Sequence, residues 1–124
     1  MTRKTLIEYC LTFPNVYEDY PFNDGDNKNE GVRTTVIRHR VNKKMFALIN
    51  ERNGKLGINL KCDPFEADVL RQMYGDVTPG WHMNKKHWNT VTFGGDVPEE
   101  ELKRMIGNSY DLIKPKVRVQ KQYK

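Results

Sequence analysis

Apolar residues near the start of the chain recur at helical spacing. They lie four and then three positions apart: Leu6, Cys10 and Phe13. Thr5 and Glu8 have the composition of a capping box at the beginning of this pattern. The spacing predicts a first helix that ends at Pro14.

The middle of the chain changes to a two-residue alternation, which is typical of half-buried strands. In the segment 34–41, one face would carry Thr35, Ile37, His39 and Val41. Arg38 and Arg40 would then face water on the other side. Residues 45–50 form a second β run, and Asn53-Gly54 suits a two-residue hairpin turn. A third strand is predicted from alternating apolar residues: Leu56, Ile58, Leu60 and Cys62.

A second helix is predicted directly after this hairpin. Asp63 suits the N-cap, Pro64 the first helical position, and Glu66 the positive end of the helix dipole. Gly75 is the expected terminator. The predicted buried stripe contains Phe65, Val69, Leu70 and Met73.

The last third of the chain predicts one more strand and one more helix. The sequence WNTVTF (residues 88–93) is rich in β-branched and aromatic residues, and Gly94-Gly95 ends it. Pro98 and three glutamates, Glu99 to Glu101, then favour a helix N-terminus. The predicted core side of this final helix contains Leu102, Met105, Ile106, Leu112 and Ile113.

This order of elements, helix–strands–helix–strand–helix, predicts an α+β fold in which helices cover one side of an antiparallel sheet. We expect a single domain over residues 1–114 and a basic tail over residues 115–124. No apolar run reaches the roughly twenty residues that a membrane span needs. The opening MTRKTLIEYC also lacks the apolar core of a secretory signal, so a cytoplasmic location is expected. The sequence leaves the oligomeric state open, and a monomer is the favoured expectation. Cys10 and Cys62 fall in apolar patterns and are interpreted as reduced, buried thiols.

Charge is segregated along the chain, whose net charge is +5 and whose pI is about 9.2. The loop from Asn23 to Gly31 is acidic and polar, whereas residues 33–44 carry five basic residues and no acid. The tail after Pro115 is again free of acids. Clustered positive charge is typical of polyanion binding, although basic proteins without nucleic-acid partners are also common.

The stretch WHMNKKHWNTVTF (residues 81–93) concentrates the candidate chemistry. His82 and His87 are five positions apart and lack nearby acidic or thiol ligands, so no metal site is expected. No spacing typical of a nucleophile and its base is present, so we expect no catalytic residues and no cofactor, and we favour a binding protein over an enzyme. Trp81 and Trp88 have a purely structural alternative as core aromatics. The lysines beside them instead suit a phosphate backbone.

Five motifs in order resemble the MmcQ/YjbR family over nearly the whole chain. They are YPF (20–22), KMFAL (44–48), LKC (60–62), GWHMNKKHWNTV (80–91) and SYDLI (109–113). The resemblance implies a frataxin-like (CyaY-like) α+β fold, also called a double wing, and members are usually labelled predicted DNA-binding proteins. Frataxin-type iron binding uses an acidic first helix, whereas this one carries Arg3, Lys4 and only Glu8. The loop from Asn23 to Gly31 looks longer than the family's usual connection.

The candidate nucleic-acid-binding residues come from two sources. The family motifs supply Lys44, Lys61, Asn84, Lys85, Lys86, His87 and Trp88. The charge pattern alone supplies Arg38 and Arg40. We expect nucleic acid, DNA more than RNA, to be bound through phosphates with little sequence specificity.

Two other hypotheses remain open from the sequence. The first is a module for a protein or a small anionic ligand, in which the YPF segment and the tryptophans line a recess and His87 or Lys61 orients the ligand. The second is an enzyme assembled from His87, Lys44 and Tyr110, which no spacing supports.

Overall fold

The computed structural model describes residues 1–22, 32–52, 54–80 and 83–116. Within these ranges the elements are α1 (Arg3–Cys10), β1 (Val16–Asp19), β2 (Val32–His39), β3 (Met45–Arg52), β4 (Lys55–Lys61), α2 (Pro64–Met73), β5 (Val77–Pro79), β6 (Trp88–Thr92) and α3 (Glu99–Ile113). The predicted loop Asn23–Gly31, Trp81, His82 and the tail residues 117–124 lie outside the described residues.

The strands form one antiparallel sheet in the order β1-β2-β3-β4-β6-β5, which confirms the α+β class. The predicted hairpin is confirmed, because Arg52 pairs with Lys55 across residues 53 and 54 and Gly54 takes a φ of 78°. The short strands β1 and β5 were not predicted. They flank the sheet at its two ends, where few residues supply a pattern.

All three helices pack on the same face of the sheet. Arg3 of α1 donates to Thr35 of β2, and Asn89 of β6 donates to the carbonyl of Ala67 in α2 at 3.3 Å. Ser109 of α3 donates to the carbonyl of Phe46 in β3 at 2.6 Å. The core lies between these layers and is built from the apolar side chains of both. The opposite sheet face, here called the open face, carries none of these helices.

Two predictions near the N-terminal half were wrong. The capping box of α1 joins Thr2 and Thr5, one turn earlier than the predicted pair of Thr5 and Glu8. Val41 was assigned to a strand face but lies in a turn beyond β2 and is 69% exposed. The chain turns there because the amide of Val41 donates to Nδ1 of the preceding His39 at 3.1 Å.

Helix α2 begins as predicted but buries a different side. The carboxylate of Asp63 accepts from the amides of Phe65 and Glu66, both at 3.2 Å. The predicted stripe is largely exposed, with Phe65 at 78% and Met73 at 59%. Val69 is also exposed, and the buried residues are Ala67 and Leu70. Helix α3 matches its prediction except at Leu112, which is exposed.

Among the described residues, no helix combines the length and apolar character needed to cross a lipid bilayer. The longest helix, α3, begins with three glutamates and has one apolar face.

The cap at Asp63 gives a direct stability prediction. The substitution Asp63→Ala removes the acceptor of two free amides, and we expect it to lower the free energy of unfolding by about 1 kcal/mol. Urea unfolding measures this change. Asp68→Ala is the matched control, because Asp68 is an exposed carboxylate within the same helix. Equal losses in both variants would contradict a specific cap at Asp63.

The two cysteines give a reactivity prediction. Both are free and buried, and burial raises the pKa of Cys10 to about 12 and the pKa of Cys62 to about 11. Because the thiolate is the reactive species, both should react slowly with a disulfide reagent at pH 8 in the folded protein and rapidly in urea. Labelling of the variant Cys62→Ser shows which of the two cysteines reacts faster in the folded protein. Rapid native labelling of both thiols would contradict the prediction.

Candidate functional site

The predicted binding residues meet at one end of the sheet, here called the basic end. At this end β2 and β4 finish and β3 and β6 begin. The residues at or beside it are Arg38, Arg40, Lys44, Lys61, Asn84, Lys85, Lys86, His87 and Trp88. Adjacent strands lie roughly 5 Å apart, so β2 and β6 are separated by roughly 14 Å.

The strand register places three of these residues on the open face. Asn59 and Thr90 are paired across β4 and β6, and the threonine hydroxyl donates to the asparagine carbonyl oxygen. Two residues further along each strand, Lys61 pairs with Trp88. Because side chains alternate between the two faces of a sheet, this pair lies on the same face as Asn59 and Thr90. Arg38 occupies the equivalent side of β2. The candidate surface therefore faces away from the helices.

The two arginines are engaged within the protein. Arg38 donates from Nε to the carboxylate of Asp19 at 2.7 Å and from Nη1 to the carbonyl of Lys43 at 3.0 Å. Arg40 places its guanidinium 5.7 Å from the ring centre of Tyr17. Arg38 is thus paired with a carboxylate, whereas Arg40 is exposed and forms no ion pair among the described residues.

Lys61 is held in place by a serine of α3. The hydroxyl of Ser109 accepts from the backbone amide of Lys61 at 2.9 Å and donates to the carbonyl of Phe46 at 2.6 Å. Ser109 is fully buried and bridges the ends of β3 and β4 where direct pairing stops at Ala47 and Leu60. The bridge satisfies two strand groups and fixes the backbone that carries the Lys61 side chain.

The loop before β6 is held by Arg71 of α2. Its Nε donates to Asn89 Oδ1 at 2.6 Å, and its Nη2 donates to the carbonyls of Lys85 and Trp88. The ammonium of Lys85 turns back to the carbonyl of Gly80 at 3.0 Å. Arg71 therefore ties the loop to both the helix and the sheet.

Asn84 and His87 have structural contacts in the same loop. The side-chain oxygen of Asn84 accepts from the amide of Lys86 at 3.0 Å, and its backbone carbonyl accepts from the amide of His87 at 3.1 Å. The carbonyl of His87 accepts from the amide of Cys62 at 2.8 Å, which extends the β4–β6 pairing. Asn84 shapes a turn that presents Lys86 to solvent.

Three lysines of the basic end have ammonium groups without a hydrogen-bond or ion-pair partner among the described residues, whereas that of Lys85 donates to the carbonyl of Gly80. Within the described ranges, Lys44, Lys61 and Lys86 form no ion pair. Lys44 and Lys86 are exposed, and Lys61 is half-buried. Their charges are available to an external anion.

Acidic residues are nearly absent from the open face. Among the described strand side chains that the register places there, Asp19 is the sole carboxylate, and it is paired with Arg38. Glu18 and Glu51 lie on the other face and line a cleft of about 660 Å³ beside α1. That cleft also contains Arg3 and Lys4, so its charges are mixed.

The other chemical hypotheses find less support in the geometry. The described residues contain no group of three or more side chains able to hold a metal ion. Tyr110 is buried and its hydroxyl donates to the carbonyl of Pro14 at 2.8 Å, so it is part of the packing of α3 against the segment between α1 and β1. Tyr20 follows β1, and three strands separate it from Trp88, so these two residues do not share a recess.

Arg71 and Ser109 position the candidate site, although the sequence does not predict this role for either residue. Arg71 is one of many charged helix residues, and nothing local marks its contact with a loop fourteen residues away. Ser109 lies in the SYDLI motif, so the motif match was the available signal. A buried serine within an apolar helix face is a further cue for a hydrogen bond across the core.

Comparison with known proteins supports the motif match. The model of the YjbR family matches residues 11–112. The uncharacterized protein YjbR of Escherichia coli K12 is 33% identical over 110 residues, covering 89% of this chain and 85% of the relative. The uncharacterized protein YyaQ of Bacillus subtilis 168 is 32% identical over 124 residues, covering 92% of this chain and 99% of the relative.

Two solved structures share the architecture. The crystal structure of Deinococcus radiodurans DR2400, whose family-model domain is DUF419, matches with a TM-score of 0.75 and 34% identity over 90% of this chain and 78% of that protein. A crystal structure of a Pseudomonas syringae protein matches with a TM-score of 0.75 and 26% identity over 92% of this chain and 100% of that protein. With its motifs, sheet order and relatives in agreement, the chain belongs to the YjbR family.

Proposed function

We propose that this protein binds nucleic acid, with DNA the favoured form, by placing phosphates against the lysines of the basic end. The observation that carries the proposal is the convergence of Lys44, Lys61 and Lys86 at one end of the sheet without ion pairs among the described residues. Solvent-facing ammonium groups suit phosphate oxygens as point charges.

The lack of carboxylates on the open face supports the same proposal. A polyanion that approached the helix side would meet Glu18 and Glu51, which share their cleft with Arg3 and Lys4, and the glutamates that begin α3, of which Glu99 and Glu101 pair with Lys103 and Arg104. Among the described strand residues of the open face it would meet one carboxylate, Asp19, which pairs with Arg38. Like-charge repulsion therefore favours one approach over the other.

Recognition at this surface should depend little on base sequence. Sequence reading in a duplex usually requires a helix or ribbon that enters the major groove with several side chains aimed at base edges. Here all three helices of the described residues lie behind the sheet, and the cations without an ion pair are Arg40 and lysines on strand ends and loops. Contacts of this kind position a backbone without specifying its sequence.

Salt dependence provides the main prediction. Three lysine contacts would make log affinity for a DNA duplex fall with log salt at a slope of about −2.7, and Lys61→Gln should make this slope shallower by about 0.9. Fluorescence anisotropy over a salt series measures both. Lys103→Gln is the matched control, because Lys103 lies on α3, where it pairs with Glu99. Affinity that is independent of salt would contradict the proposed function.

The loop anchor provides a second prediction. Arg71→Lys keeps the positive charge but removes the planar guanidinium, whose hydrogen bonds join Asn89 to the loop carbonyls. We expect a loss of stability of about 1–2 kcal/mol and several-fold weaker binding with little change in the salt slope. Thermal unfolding and anisotropy measure the two effects.

Arg104→Lys is the control for Arg71→Lys. Arg104 is also a bonded arginine of the helix layer, but it pairs with Glu66 and Glu101 and forms no hydrogen bond with the described part of the loop. Equal weakening of binding in the two variants would show that Arg71 has no special positioning role.

A further inference from the structure

Trp88 has a firmly held backbone and an indole on the open face. Its carbonyl accepts from the amide of Gly80 at 2.8 Å and from Arg71 at 3.3 Å. A Cβ atom at Gly80 would lie 2.8 Å from the Cβ of Trp88, so the glycine is needed for this close approach. The indole is only partly buried and lies opposite Lys61. The pair offers an aromatic surface beside an uncompensated charge.

The shape of this face favours a single strand over a duplex. Helices that could enter a groove are confined to the opposite side of the sheet. A sheet surface with an aromatic side chain and neighbouring cations is instead suited to unpaired bases, because any base can stack on an aromatic ring while its phosphate lies near a lysine.

Gly57 on the same face has no local structural explanation. It lies inside β4, where the register with β3 and β6 runs without a bulge. A Cβ at this position would make ordinary contacts, 3.4 Å from the carbonyl oxygen of Val91 and 4.0 Å from Thr90. Glycine inside a strand costs roughly 0.5–1 kcal/mol relative to alanine. A glycine of this kind often marks close approach by a ligand.

Gly57 and Trp88 lie on one continuous strip of the face. Along β4 the strip runs from the half-buried Lys61 past Asn59, which is 2% exposed, to the half-buried Gly57, and along β6 it runs from Trp88 past Thr90, both half-buried. Two positions along a strand cover roughly 7 Å, so each side of the strip is long enough for a short stretch of bound chain. The strip contains polar and aromatic side chains but no carboxylate.

We propose that the ligand of this strip is a single-stranded nucleic acid, with one base stacked on Trp88, a phosphate against Lys61, and the chain passing over Gly57. This inference rests on the proposed function and narrows it. The shared chemistry of single-stranded DNA and RNA is sufficient for the contacts named, so the test includes both.

The experiment compares labelled single strands of DNA and of RNA with the DNA duplex of the same sequence. Oligonucleotides of roughly twelve nucleotides fall within the site sizes of known single-strand binders. We expect at least one single strand to bind more tightly than the duplex. Trp88→Leu should weaken that binding by about fivefold or more, whereas Trp88→Phe should retain most of it.

Gly57→Val tests the strip without changing its charge or its aromatic residue. The added side chain should lie over the face and weaken single-strand binding, while circular dichroism and thermal unfolding report an intact fold. Lys103→Gln remains the control at a distance from the strip. If Trp88→Leu fails to fold, Gly57→Val alone decides whether this strip is used.

The outcomes separate this inference from the broader proposal. Duplex binding equal to or tighter than single-strand binding, or single-strand binding unchanged in both Trp88→Leu and Gly57→Val, would overturn the inference and leave salt-dependent nucleic-acid binding standing. Absence of binding to every oligonucleotide, at low salt and in a folded protein, would overturn both.

Discussion

The buried hydroxyl of Ser109 joins α3 to the centre of the sheet, and much of the molecule depends on this contact. It bridges the carbonyl of Phe46 and the amide of Lys61 where β3 and β4 stop pairing directly. A larger side chain would push the helix away, and an apolar one would leave both strand groups without a partner. The same bridge that completes the core thus fixes the strand end that carries a lysine.

Charge and packing divide the sheet into two different sides. The helix side takes most of the apolar residues and, at its margin, the carboxylates Glu18 and Glu51. The open side takes Trp88, Lys61 and small polar residues, together with the apolar pair Val36 and Leu48. Because side chains alternate along each strand, the position of a charged residue in the strand determines which face of the sheet carries its charge. This separation allows a basic surface in a protein whose net charge is only +5.

In the motif WHMNKKHWNTVTF, residue types alone do not reveal which side chains are available to a ligand. Its two lysines look equivalent in sequence, yet the ammonium of Lys85 donates to the carbonyl of Gly80, while that of Lys86 has no hydrogen-bond or ion-pair partner within the described part of the chain. Asn84 looks like a ligand-binding amide, but its oxygen accepts from the amide of Lys86. The motif combines a turn, a strand entrance and a smaller set of outward-facing groups.

Helix α2 shows the same distinction in its packing. Its strongest apolar pattern runs through Phe65, Val69 and Met73, but the structure buries Ala67 and Leu70. The helix rests on the short edge of the sheet, near β5 and β6, and Arg71 must point inward to reach Asn89 and the loop. Tertiary contacts therefore rotate the helix away from the orientation that its hydrophobic pattern favours.

The sequence by itself determined the elements whose signals are local. Alternation specified β2 to β4, Asn53-Gly54 specified the hairpin, and Asp63 specified the start of α2. These features depend on neighbours within a few residues, so the local sequence is enough to predict them.

Only the tertiary structure decided which charges are free and which side chains hold the candidate site. The pairing of Arg38 with Asp19, the anchor at Arg71 and the bridge at Ser109 join residues that are far apart along the chain. No local pattern encodes such partners, because their distances are set by the packing of helices on the sheet. For the same reason, the basic end became a single surface only once the strands were placed side by side.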